Sequence, residues 1–197
     1  MSAATTTNLL EHFLRMEERL EEEPETVQAE IVRGVYLMSP RPRPRHGGAQ
    51  GRLFSELDQR LGQGKGGPAD WLFVVEPEVR SEKAFSRLVP DLAGWRRSTG
   101  GWPDLDQTPV TLVPEWVAEI LSPGTAATDR NEKSDAYGSM GVGWLWLVDP
   151  DRRAVETYAN VRGRMTAGPV FQAKEEITGE PLGSVSIPVE AIFVRET

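Results

Sequence analysis

Residues 116–148 read WVAEILSPGTAATDRNEKSDAYGSMGVGWLWLV, and the fold class turns on how this stretch divides. Trp116 to Leu121 is apolar on both faces, as strands buried in the middle of a sheet are. Asp129 to Met140 predicts a helix: Asp129 and Glu132 have capping-box spacing, Ala136, Tyr137 and Met140 fall on one face, and Gly141 is a natural stop. Trp144 to Val148 is a second buried strand, closed by the turn residues Asp149-Pro150-Asp151. The unit is therefore strand, helix, strand.

Working outward, Trp71 to Val79 and Leu88 to Trp95 are two further apolar, β-rich runs. Leu53, Leu57 and Leu61 make a helical stripe, opened by His46 and preceded by PRPRPRHGG (residues 40–48), in which alternating prolines hold the chain extended. Residues 28–39 alternate as a pair of short strands around Gly34. Near the start, Leu9, Phe13, Met16 and Leu20 recur at helical intervals until Pro24 ends the pattern. Downstream, Val155 to Ala159 reads as a strand, and scattered Gly and Pro predict short edge strands finishing at Ile192–Val194. The order predicts an α/β (α+β) fold with a mixed sheet and a helix on each side. Residues 1–25 form an appended acidic helix, and 26–197 a single domain.

The 197 residues suit one ordinary domain, and no apolar run approaches the roughly 20 residues that cross a bilayer. The opening segment has neither a basic leader nor a long apolar stretch, which points to a cytoplasmic protein without membrane contact. The absence of cysteine excludes disulfides, thiolate nucleophiles and zinc–cysteine sites, and two histidines, His12 and His46, exclude a multi-histidine centre. Any metal here would sit on carboxylate oxygens, which favours magnesium, manganese or calcium. The formal charge of −8 argues against a nucleic-acid partner, but residues 1–25 hold seven Glu against two Arg and carry most of it.

Three polar residues fall where burial is expected. Glu119 shares a strand face with Val117 and Leu121, where a carboxylate is costly unless paired or bound to a cation. Taken alone, it reads more readily as a salt-bridge partner or a glutamate at a strand end. Asp91 follows Pro90 in the apolar run LVPDLAGW, and alone it is more often a turn or capping residue than a ligand. Lys133 lies on the same stripe as Ala136, Tyr137 and Met140, on the wrong side of the helix dipole. Either it snorkels to water, or a carboxylate cluster lies beside it. Ser122 precedes proline and has no neighbouring histidine, so LSPGT is turn chemistry.

VEPEVR (75–80), VPDLAGWRR (89–97), PEWVAEILSPGT (114–125), DRNEKSDAYGSMGV (129–142) and WLWLVDP (144–150) stand in this order. Together they resemble the Uma-type restriction endonuclease family of the PD-(D/E)XK superfamily. The resemblance spans about Glu30 to Val194. It implies a restriction-endonuclease-like core with flanking helices, an extra N-terminal helix and C-terminal short strands. It further implies that Asp91 and Glu119, helped by the Ile120 backbone carbonyl, hold Mg²⁺ (or Mn²⁺) for hydrolysis of DNA phosphodiesters. The third motif position is Leu121 rather than lysine. Lys133, on the following helix, is the matching residue of this branch. Glu78 and His46 match secondary positions; Arg41, Arg43 and Arg45 could touch phosphates, with a solvated loop the plainer reading. The displaced lysine and acidic surface leave an inactive DNA-binding or assembly scaffold as the alternative. The apolar stripe of the first helix must pack on the main domain or on a second copy of the chain. Its need for cover, with that of the Trp-rich strands, suggests a homodimer.

Overall fold

A computed structural model describes residues 3–24, 28–39, 43–62, 70–124 and 126–194. Helix α1 (Ala3–Glu21) is followed by the hairpin β1 (Gln28–Val32) and β2 (Val35–Ser39). Helix α2 (Pro44–Leu57) begins with proline in its first turn, where the ring is preorganised and the missing N–H costs nothing. Strands β3 (Trp71–Val75), β4 (Val79–Ser81), β5 (Ser86–Leu88), β6 (Leu92–Arg96) and β7 (Trp116–Ile120) follow. Next come α3 (Ala126–Thr128), a π-helical turn at Asp129–Lys133, and α4 (Ser134–Met140). Strands β8 (Trp144–Asp149), β9 (Ala154–Val161), β10 (Arg164–Gln172), β11 (Glu176–Gly179) and β12 (Gly183–Pro188) lead into the short α5 (Val189–Ile192).

The central sheet has the order β10-β9-β8-β7-β6-β3, and β7–β8 is its parallel pair. A helical crossover is what a parallel pair requires, so the strand–helix–strand unit sets the heart of the sheet as expected. A smaller sheet, β2-β1-β5-β4, and the pair β11-β12 complete the fold. Apolar residues on the two faces of the central sheet build two cores. Trp116, Ala118, Ile120, Trp146 and Val148 pack with α2 and the C-terminal elements. Val117, Leu121, Leu145 and Leu147 pack with Ala136, Tyr137 and Met140 of α4. Trp116 and Trp146 meet edge-on, with ring centroids 5.4 Å apart, a geometry worth about 0.5–1.5 kcal/mol beyond area burial. Gly94 lets the rings of β3 cross β6, because a Cβ there would stand 2.9 Å from the Phe73 ring.

Several boundaries differ from expectation. The run Trp71–Val79 is two strands: the backbone turns at Glu76, with φ of 49°, and β4 joins the other sheet. The run Leu88–Trp95 likewise breaks at Pro90-Asp91 between β5 and β6. The helix expected at Asp129 starts three residues earlier. The tail ends in α5 rather than a strand, and β9–β10 is a long hairpin. Helix α1 buries Phe13 against Phe85, with centroids 6.2 Å apart, and Glu17 makes two hydrogen bonds with Arg80. Its stripe therefore packs on the same chain. No helix among the described residues is long and apolar enough to cross a membrane.

Candidate functional site

Asp91 lies at the break between the two sheets. Extending the β6–β7 register by one residue beyond Leu92↔Ala118 sets it opposite Glu119. The Asp91 carboxylate replaces a ladder acceptor: Oδ2 receives the Ile120 N–H at 2.6 Å. The same oxygen lies 3.1 Å from Nε2 of His46 on α2. The freed Asp91 carbonyl accepts from Gln50 at 3.0 Å and from the Glu76 amide at 3.1 Å. Pro90 makes this possible, since it cannot continue the β5 ladder.

Glu119, 3% exposed, points into the core between β7 and α4. Its Oε1 accepts from Nζ of Lys133 at 3.2 Å and from the Tyr137 hydroxyl at 2.5 Å. Burial pushes its carboxyl well above the usual range. Lys133 opposes that push, and the charges of Asp91, Asp129 and Glu30 add to it. Lys133 is 6% exposed and reaches three carboxylates, Glu30 at 2.8 Å, Glu119 at 3.2 Å and Asp129 at 3.8 Å. Burial lowers its basicity, but Glu119, Glu30 and Asp129 together outweigh burial and hold it firmly as an ammonium. Burial first, then the charge of Glu119, raises Tyr137 and keeps it a neutral donor. His46 is shifted upward because Asp91, with Glu76 and Asp129 behind it, outweighs desolvation.

Asp91, Glu119, Lys133 and His46 thus converge at the ends of β6 and β7. The structure separates Glu78 from them. With the chain turned at Glu76, the two glutamates share no strand face, and Glu78 pairs with Arg87 at 2.7 and 3.1 Å. Glu76 lies nearer, held by Gln50 at 3.0 Å. Arg43 and Arg45 line a groove of about 340 Å³ with His46, Ser122, Pro150 and Asp151. Arg45 also stands 3.5 Å from Asp151. Arg41 lies outside the described residues.

Sequence reasoning missed Glu30, Asp129 and Tyr137 as members of the cluster. The spacing of Asp129, Lys133 and Tyr137 by four carried a signal for two of them. Glu30, over a hundred residues from Lys133, carried none.

Among the described residues no group of three or more His, Asp or Glu side chains is arranged to hold a metal by itself. The donor chemistry nevertheless fits a hard divalent cation. Glu30, Glu119 and Asp129 ring a single lysine, and the charge of Asp91 adds to theirs at Glu119, an excess of negative charge in a buried place. Asp91 Oδ1 and Glu119 Oε2 accept no protein hydrogen bond among the described residues.

A family model described as "Uma2: Putative restriction endonuclease" matches residues 10–190. No curated protein matches the sequence. Among solved structures, the chain is similar to a "putative nuclease belonging to DUF820" from Anabaena variabilis, with a TM-score of 0.71 and 19% identity. That match covers 90% of this chain and 96% of the other, and at such identity it speaks to the restriction-endonuclease-like fold alone.

Proposed function

The chain belongs to the Uma2 family of restriction-endonuclease-like proteins, and from that premise we propose that it is a divalent-metal-dependent DNA endonuclease. The observation that carries this reading is the meeting of three residues from three elements. Asp91 precedes β6, Glu119 lies on β7, and the ammonium of Lys133 is 3.2 Å from Glu119. Asp91 and Glu119, with the Ile120 carbonyl, would hold Mg²⁺ or Mn²⁺. Such an ion polarises a phosphoryl oxygen and lowers the pKa of a bound water.

The chain's own groups do the rest. Lys133, kept as an ammonium by its carboxylates, stabilises charge developing on the phosphoryl oxygens and does not act as a base. The Ile120 N–H and His46 fix one oxygen of Asp91, leaving the other for the cation. Arg43 and Arg45, on the groove beside His46, would contact neighbouring phosphates.

The test is cleavage of supercoiled and linear DNA with Mg²⁺ or Mn²⁺, comparing the parent with Asp91→Ala, Glu119→Gln and Lys133→Ala. Metal-dependent strand scission lost by at least about 100-fold in each variant is expected. Equal activity in parent and Asp91→Ala would remove the reading.

A second reading, a nuclease fold that binds DNA or a partner without cutting, is favoured by one observation. Lys133 and Tyr137 already satisfy Glu119 Oε1 without any cation. DNA binding that survives chelation and Glu119→Gln, with no turnover, would support it. A homodimer belongs to either reading. Val35 and Met38 on the edge strand β2, 57% and 63% exposed, are the apolar residues a second copy would cover.

A further inference from the structure

In this chain the lysine of the site stands on a helix, and the strand position two residues after Glu119 is Leu121, packed in the core. A strand would orient a lysine through its pleat. A lysine reaching inward from a helix has four side-chain bonds to fix and needs an anchor. Without one, its ammonium would close onto Glu119 and occupy the carboxylate that the cation requires.

Glu30 supplies such an anchor from a third element. It lies on β1, is 5% exposed, and uses its two oxygens for different partners. Oε2 receives the Lys133 ammonium at 2.8 Å, nearer than Glu119 at 3.2 Å. Oε1 accepts the backbone N–H of Val89 at 2.8 Å, two residues before Asp91. Strand β1 pairs with β5 at Ile31↔Arg87, so the strand leading into Asp91 runs beside Glu30. One carboxylate thus ties the lysine helix to the backbone that presents the aspartate.

We propose that Glu30 is a positioning residue: it draws the Lys133 ammonium off Glu119 and fixes its place relative to Asp91. The role rests on the nuclease reading of the same site. Both Glu30 oxygens are engaged by Lys133 and the Val89 N–H, so Glu30 acts through Lys133.

Glu30→Gln tests it, because the amide carbonyl still accepts from Val89 while the charge facing Lys133 is gone. The first measurement is a crystal structure of this variant. The Lys133 ammonium is expected to leave its place and move toward Glu119 or Asp129 by more than about 1 Å. An ammonium that stays put overturns the proposal. Should Glu30→Gln fold poorly, Glu30→Asp retracts the charge by one methylene, and the same displacement is expected of it. The second measurement is DNA cleavage. In Glu30→Gln, kcat is expected to fall about 10- to 100-fold, as for other residues that orient a reacting group, with KM within about twofold. Glu30→Gln/Lys133→Ala is expected to be no slower than Lys133→Ala alone. Parental kcat in Glu30→Gln, or losses that multiply in the double variant, would overturn it. A parent that cleaves nothing counts against the nuclease reading, whereas the position of Lys133 in the variant crystal still decides the role of Glu30.

Discussion

The side chain of Glu119 is satisfied on one oxygen by two donors of different kinds, an ammonium and a phenol. Removing the phenolic O–H by Tyr137→Phe takes away the shorter bond and leaves Lys133 as the donor to that oxygen. The expected cost is about 1–3 kcal/mol of stability, the usual range for a buried polar group deprived of a partner, read from urea unfolding. A second titratable group stands two strands away from Glu119, with Leu147 between them in register. Glu156 accepts from Arg130 at 2.7 Å and from Tyr158 at 3.1 Å, and the Arg130 guanidinium holds its carboxyl below the usual range despite burial. A carboxyl depressed in the folded state stabilises the fold above its unfolded pKa, and that contribution fades as pH falls through the folded value. Glu156→Gln is therefore expected to flatten the acid side of the thermal stability curve as pH falls below the ordinary Glu pKa of about 4.3. A curve parallel to the parent's would contradict the assignment.

At the scale of elements, close approach decides which substitutions the fold accepts. Helix α4 crosses the turn between β9 and β10 at Gly138, where a Cβ would stand 2.8 Å from the Gly163 carbonyl oxygen. Backbone atoms cannot yield as a side-chain tip can, so Gly138→Ala is expected to cost about 1–3 kcal/mol. Gly51, on the exposed side of α2 with nothing within 4 Å of its would-be Cβ, makes the opposite case. Gly51→Ala is expected to gain about 0.5–1 kcal/mol through helix propensity. Chemical denaturation of the pair should show opposite signs. The same scale explains which elements were legible. The apolar runs of β7 and β8 and the stripe of α4 follow local periodicity, and they stand where the sequence places them. The breaks at Glu76 and at Pro90-Asp91 were missed because apolar texture continues through them, while the backbone changes sheets.

For the whole molecule, the acidic N-terminal helix is a lid on the smaller sheet. Arg80 and Arg87 reach out from that sheet to Glu17 and Glu21, and Phe13 is fully buried beneath. Deleting residues 1–24 uncovers Phe85 and leaves both arginines without those partners. A fall in melting temperature with an unchanged number of copies by light scattering is expected. A halved mass would make the helix a joint between copies instead. Arg80 and Arg87 offset the acidic side chains of α1 locally, while the formal net charge of the chain stays at −8.

The sequence by itself determined the mixed sheet, the strand–helix–strand unit, and the choice of Asp91, Glu119 and Lys133 as residues out of place in apolar surroundings. Those conclusions come from patterns a few residues long, because burial imposes a period of two on strands and 3.6 on helices. Only the tertiary structure decided that Glu30 clamps Lys133, that His46 meets Asp91, and that Glu78 turns away to Arg87. These are charge pairings between distant segments. A carboxylate shows no local sign of its partner, and the pairing exists only once packing has excluded water and made an unpaired charge costly.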